Sequence, residues 1–257
     1  MKGAIRTMIL AAMASLALAS CEKKDPPQPD PDPTGTGKVV MEFFNKVGTA
    51  DLVLNDKAYV NEHGDTFKVS LFKYYISNVK LNGAKGTYTE TESYHLLDQA
   101  DKPNMNFTMS NVPYDTYTSV TLTIGVDSTR NVSGAQTGAL DPVKDMFWTW
   151  STGYIMLKLE GSSPKSPATG GTISFHAGGY AGQYATQRTM TLSLPTAITV
   201  NDNGENHVHV DADVLRLFKA PTVFDFSALY AINSAGQKAK DLADNYANML
   251  SVSYAGL

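Results

Sequence analysis

The residues able to hold a metal ion are few and unevenly placed. The chain has five histidines and one cysteine. His207 and His209 stand in the run His207-Val208-His209-Val210-Asp211. On a strand, residues i and i+2 point to the same face. His207, His209 and Asp211 would then share one side, and Val208 and Val210 the other. Two imidazoles on one face can clamp copper or zinc. The same alternation describes valines facing a core and a polar stripe facing water, and periodicity alone favours that plainer arrangement. His176, in Phe175-His176-Ala177-Gly178-Gly179, ends a strand and enters a glycine turn. From there an imidazole can reach a site at a sheet's rim, although idle turn histidines are commoner. His95 reads as part of a strand, and His63, in Asn61-Glu62-His63-Gly64, as an exposed turn.

The densest aromatic segment is Met146-Phe147-Trp148-Thr149-Trp150-Ser151-Thr152-Gly153-Tyr154, which holds both tryptophans of the chain. Large aromatics usually pack a core; exposed on a secreted β domain they can also stack on sugars. No Gly-x-Ser-x-Gly elbow and no His-Glu-x-x-His motif is present. Gly83-Ala84-Lys85-Gly86 and Gly170-Gly171 precede no helix and read as turns rather than phosphate loops. Asn201 to Glu205 resembles a fragment of a calcium loop, but the remaining ligand spacing is missing, so a hairpin turn is expected. Asp127, Asp141 and Glu160 are the acidic residues near the aromatic segment, and each is expected to hold a turn. An enzyme is therefore not expected.

The single cysteine has its own explanation. Lys2 and Arg6 precede an uncharged apolar run, Met8 to Ala19, with the flanks of a signal peptide and too short to span a bilayer stably. The run ends in Leu18-Ala19-Ser20-Cys21, which matches the lipobox of bacterial lipoproteins, so Cys21 is expected to be acylated. Several acyl chains anchor firmly, at about 0.8 kcal/mol per buried methylene. Glu22 stands where an inner-membrane retention signal would place Asp, which favours the outer membrane. Glu22-Lys23-Lys24-Asp25 loosely resembles the surface-export tags of Bacteroidota lipoproteins. An outer-membrane lipoprotein is expected, periplasmic-facing or at the cell surface. Pro26, Pro27, Pro29, Pro31 and Pro33 then form a stiff extended stalk. The expected organisation is a signal peptide over 1–20, an acylated stalk over 21–37 and one β domain over 38–257.

Composition excludes several partners. The chain has 21 basic and 25 acidic residues; losing the signal removes Lys2 and Arg6 and leaves a net charge of −6. A mildly acidic protein without a basic run argues against nucleic acid. With Cys21 acylated, no disulfide or thiolate site remains.

Strands must position the candidate residues. β-branched and aromatic segments predict strands over 38–44, 66–81, 117–126, 153–159, 172–175, 188–194 and 207–213. In the third, Val120, Leu122, Ile124 and Val126 are expected on one face. Short strands so spaced predict an all-β, antiparallel β-sandwich. One C-terminal helix is predicted over 234–250, capped by Ser234, with Ala239, Leu242, Ala243 and Tyr246 on one side. A short helical turn is predicted over 145–150.

Several segments, taken in order, resemble the MbnP family of secreted copper-binding proteins, named for methanobactin operons and found widely as lipoproteins. They are Tyr74-Tyr75-Ile76-Ser77-Asn78-Val79-Lys80-Leu81, Gly125-Val126-Asp127-Ser128, Gly138-Ala139-Leu140-Asp141-Pro142 and Met146-Phe147-Trp148-Thr149-Trp150. Gly153-Tyr154, Lys158-Leu159-Glu160-Gly161, Phe175-His176 and Gly178-Gly179 follow. The resemblance spans Phe67 to about Val214. It implies copper bound through histidine and, as in some relatives, a tryptophan oxidised to kynurenine by a dihaem cytochrome c peroxidase-like partner of the MbnH type. His176 is the best-matched ligand, and Trp150 or Trp148 the oxidised residue, with Trp150 slightly preferred. His207 and His209 match less well and join on the same-face argument. Some relatives carry cysteines in the domain, and this chain has none there. The alternative from a different class is a surface lipoprotein that binds glycans or protein without metal.

Overall fold

The computed structural model describes residues 34–134, 136–148 and 153–257. The signal segment, Cys21 and nearly all of the stalk lie outside these residues, as does Trp150. Thr34 to Leu257 forms one compact unit. Its strands in chain order are β1 (Thr36–Val47), β2 (Ala50–Asp51), β3 (Tyr59–Val60), β4 (Thr66–Gly83), β5 (Thr87–Thr89), β6 (Tyr94–Asp98), β7 (Asn106–Pro113) and β8 (Asp115–Ile124). There follow β9 (Phe147–Trp148), β10 (Gly153–Ser162), β11 (Thr172–Gly178), β12 (Arg188–Val200), β13 (Asn206–Asp213), β14 (Ala231–Ile232) and β15 (Leu250–Gly256). The helices are α1 (Ser128–Asn131) and α2 (Gln237–Tyr246), with several short 3-10 turns.

The strands form two sheets. The smaller runs β15-β13-β1-β2, with β7 also on β1; the larger runs β12-β8-β4-β10-β11-β14, with β3, β5 and β6 on β4 and β9 on β10. Alternation sets which residues face inward. Val39, Met41 and Phe43 of β1 and Val208, Val210 and Ala212 of β13 join Phe72, Tyr74 and Ile76 of β4, and Leu157 and Leu159 of β10, in one core. This is the expected all-β sandwich. Two pairings are parallel, β1 with β13 and β11 with β14. Among the described residues, no helix is long and apolar enough to cross a membrane.

Five local expectations change. The C-terminal helix is shorter than its pattern, because Leu250 to Gly256 leaves it to pair with β13 as an edge strand. Its N-cap is Gly236, so Ser234 does not cap it. No helical turn spans Asp145 to Trp148. A 3-10 turn ends at Lys144, Asp145 takes left-handed φ/ψ, and Phe147–Trp148 pairs with β10. The turn at Asn201 to Glu205 joins strands of different sheets, so it is not a hairpin. Val126 leaves the face of Val120, Leu122 and Ile124, because Gly125 has a φ of +116° and breaks the alternation.

Candidate metal centre

The outer face of the larger sheet carries a second, smaller apolar cluster. Tyr75 of β4, Tyr154 and Met156 of β10, Met146 and Trp148 pack there with Val126 and Leu140. Neighbouring residues Tyr74 and Leu157 point the other way, into the main core. Polar contacts shape the covering segment and hold it down. Asp127 caps α1 by accepting from the Arg130 amide. Asn131 donates to Val126 O at 2.7 Å and accepts from the Tyr154 amide at 2.9 Å. Tyr154 Oη donates to Leu140 O at 2.6 Å. Asp141 accepts from the Val143 amide. Asp127 and Asp141 thus hold turns, as expected.

Trp148 is 2% exposed and rests on β11 at Gly178. A Cβ at Gly178 would stand 2.4 Å from Cζ3 of the indole, so only glycine admits the ring at this distance. His176 lies two residues earlier on the same strand and the same face, roughly 7 Å along it. Trp148 and His176 therefore converge on β11 although 28 residues separate them in sequence.

Around His176 the groups are charged and paired. Its Nε2 is 2.8 Å from Glu160 Oε1 and 3.2 Å from Ser174 Oγ. Lys158 sits directly across on β10. Its Nζ donates to Asp145 Oδ2 at 2.5 Å and to Asp145 O at 3.2 Å, and lies 3.6 Å from Glu160 Oε1. Glu160 thus pairs with the histidine rather than holding a turn. Burial pushes the His176 pKa below its usual value; Glu160 pulls it up, and Lys158 pushes it down. The bond from Lys158 holds Asp145 below the usual carboxylate range. One ammonium against two carboxylates leaves this group net negative, which favours a cation.

The donor chemistry fits copper. His176 is held toward its neutral, metal-binding form. When Glu160 accepts from Nε2–H, the lone pair lies on Nδ1, and a carboxylate partner of this kind orients a ligand histidine. Met146 and Met156 place two thioethers in the apolar cluster with Trp148, and thioethers suit the softer copper(I).

A family model, MbnP, matches residues 36–235. The chain belongs to the MbnP family. Among solved structures, it is similar to MbnP from Methylosinus trichosporium, at 16% identity and a TM-score of 0.51, over 79% of this chain and 83% of that one. That likeness shows a shared fold. No curated protein matches.

The other expected ligands are elsewhere. His207 and His209 lie on β13, on the outer face of the smaller sheet, while Val208 and Val210 are fully buried. The same-face pattern is as expected. Each sheet turns one face to the shared core, and sheets pack about 10 Å apart. His176 and the β13 pair therefore point away from each other across the sandwich and do not share one ion. His95 lies on β6, stacks on Phe107 with 3.5 Å between ring centres, and reaches Glu90 at 3.0 Å.

Two features escaped the sequence. The exposed-turn histidine, His63, is 3.3 Å from Asp65 and 3.9 Å from Asp225. Their ligand atoms lie within 4.8 Å of one another. The aspartates already clamp backbone, however: Asp65 accepts from the Phe226 amide and Asp225 from the Ser227 amide. Glu42 on β1 joins the β13 histidines. Its outward position was readable from the alternation of Met41 and Phe43 around it, but its partner strand was not.

Proposed function

We propose that this protein is a copper-binding lipoprotein of the MbnP family, with its copper site on the outer face of the larger sheet. One observation carries the reading: Trp148 is seated on Gly178, beside the neutral-leaning imidazole of His176. His176 is the first ligand, and Glu160 sets its tautomer. Lys158 holds Asp145 and, through it, the segment leading to Trp148. Tyr75, Tyr154 and Leu140 keep water from the indole.

Kynurenine at Trp150 or Trp148 would supply an aryl amine as a further nitrogen donor. Its formation opens the indole C2–C3 bond in a four-electron oxidation that consumes two peroxides, each giving one oxygen atom and leaving as water, and hydrolysis then removes C2 as formate. A dihaem peroxidase of the MbnH type is the proposed oxidising partner, since no oxidising group belongs to this chain. The protein itself acts in copper capture or handling rather than catalysis. Acylated Cys21 would tether it to the outer membrane, with the proline stalk as spacer.

Copper titration of the wild type and of His176→Gln tests the site. The expected result is loss of the tightest copper equivalent in the variant, with the fold intact by circular dichroism. Equal affinity in both proteins would remove His176 from the site.

A further inference from the structure

The outer face of the smaller sheet carries a different cluster. The parallel pairing of β1 and β13 sets Glu42 opposite His209. Strand alternation places Glu42, His207 and His209 on the solvent side, above Met41, Phe43, Val208 and Val210 in the core. Both imidazoles meet one carboxylate oxygen. His207 Nδ1 is 3.0 Å and His209 Nε2 2.9 Å from Glu42 Oε2. We propose that Glu42, His207 and His209 form a second metal site for a late first-row divalent cation, copper(II) or zinc(II), independent of the His176 site.

The chemistry favours such an ion over calcium or magnesium. Two imidazoles and one carboxylate are borderline ligands, suited to zinc and copper, whereas hard cations take oxygen alone. Three protein ligands on an open face leave the remaining positions to water, as in open zinc sites. The two distances to one oxygen put the ring nitrogens no more than about 6 Å apart. Ligation at about 2.0–2.1 Å needs them closer, near 3.3 Å for a tetrahedral ion. A small ring movement closes that gap, and the side chains of His207 and His209 are 39% and 34% exposed at the strand surface.

The surroundings support the same assignment. Phe44 and Tyr254 flank the His209 ring, at 5.2 Å and 4.8 Å between ring centres, and limit its orientations. Asp211 is the next residue on the same face of β13, and adds negative charge. Lys46, further along β1, is held by Asp51 at 2.6 Å. The site needs neither an oxidised tryptophan nor a partner protein.

The test is calorimetric titration of the full chain with zinc chloride and with copper(II) sulfate. The proteins are the wild type, His176→Gln, Glu42→Gln and the double variant His207→Gln/His209→Gln. The expected result is a zinc equivalent that persists in His176→Gln and is lost in the double variant. Copper(II) should bind the same site more tightly than zinc, following the ordinary order of divalent affinities. Glu42→Gln should weaken the site by more than the roughly 10- to 100-fold that losing an outer-shell carboxylate costs, because Glu42 is itself a ligand. The copper(II) spectrum should lose coupling to two nitrogens in the double variant alone. Zinc bound equally well by the double variant would overturn the proposal and move the ion to His63 or His176. A folded wild type that takes up neither ion would also overturn it. Loss of one of two copper equivalents in His176→Gln, with the zinc equivalent retained, separates the two sites. Retention of every copper equivalent in that variant sinks only the reading of His176.

Discussion

Gly178→Ala perturbs the tryptophan seat most directly. The new Cβ would stand 2.4 Å from Cζ3 and 2.7 Å from Cη2 of Trp148. Non-bonded carbons rest at about 3.5–4.0 Å, so ring or strand must move by about 1 Å. Neither yields easily. Gly178 is paired with Ile155 in the β10–β11 ladder, and Trp148 is buried among Met146, Tyr154 and Met156. The backbone of Gly178 is not among the positive-φ positions, so steric overlap is the whole effect. Overpacking of this kind costs about 1–3 kcal/mol. In a domain of this size each kcal/mol lowers Tm by about 2–4 °C, so thermal melting should fall by roughly 2–12 °C. Trp148→Leu removes the overlapping atoms. In that background Gly178→Ala should cost less than about 0.5 kcal/mol, a strong coupling between the two positions. Additive penalties, or a neutral Gly178→Ala in the wild type, would refute the seating of Trp148 on β11.

Three further outcomes follow from the polar contacts. His176 should titrate below its ordinary value of 6.5 when followed by NMR, and Lys158→Met should move its pKa upward by removing the adjacent ammonium; a titration at or above 6.5 in the wild type would contradict the burial argument. Because the unfolded chain takes up that proton first, His176 should lower stability as pH falls from near 6.5 to its folded pKa. Lys158→Met should also release Asp145 and lower stability by roughly 1–3 kcal/mol in denaturant melts, the usual worth of hydrogen bonds to charged groups. Asp244, held below the usual carboxylate range by Lys240 and Arg188 against the opposing effect of burial, anchors α2 to the start of β12. Asp244→Asn should cost about 1–2 kcal/mol at neutral pH. The difference from wild type should vanish as pH drops below 3.8 and through the folded pKa, since both proteins are then uncharged at that position.

Much of the sandwich was legible because its strands alternate cleanly. Val208 and Val210 against His207 and His209 is a pattern that only a half-buried strand satisfies, and β13 keeps it throughout. The failures fall where local pattern and tertiary pairing disagree. The helix expected to reach Leu250 ends at Tyr246, and Leu250 instead opens the strand that completes the edge beside β13. Phe147–Trp148 falls within an expected helical turn, but pairing with Gly153 and Tyr154 makes it a strand. Of the candidate ligands, the sequence yielded the individual residues and not their grouping. His176 and the Trp148 segment meet because β9, β10 and β11 are neighbours, and this pairing is not written in either motif. Glu42 meets His207 and His209 through a parallel pairing across 165 residues, which no short-range spacing reveals. The same holds for His63 with Asp225.

The most direct test of the copper account uses protein from its native host grown with copper. Bound metal and the mass of the Met146–Tyr154 peptide would be measured on one preparation. The account predicts bound copper, together with a peptide in which Trp150 or Trp148 has exchanged one ring carbon for one oxygen; fragment masses assign which. Bound copper with both tryptophans intact would leave a histidine-based site without kynurenine and remove the peroxidase partner. Intact tryptophans and no copper would contradict the account and favour a metal-free binding surface.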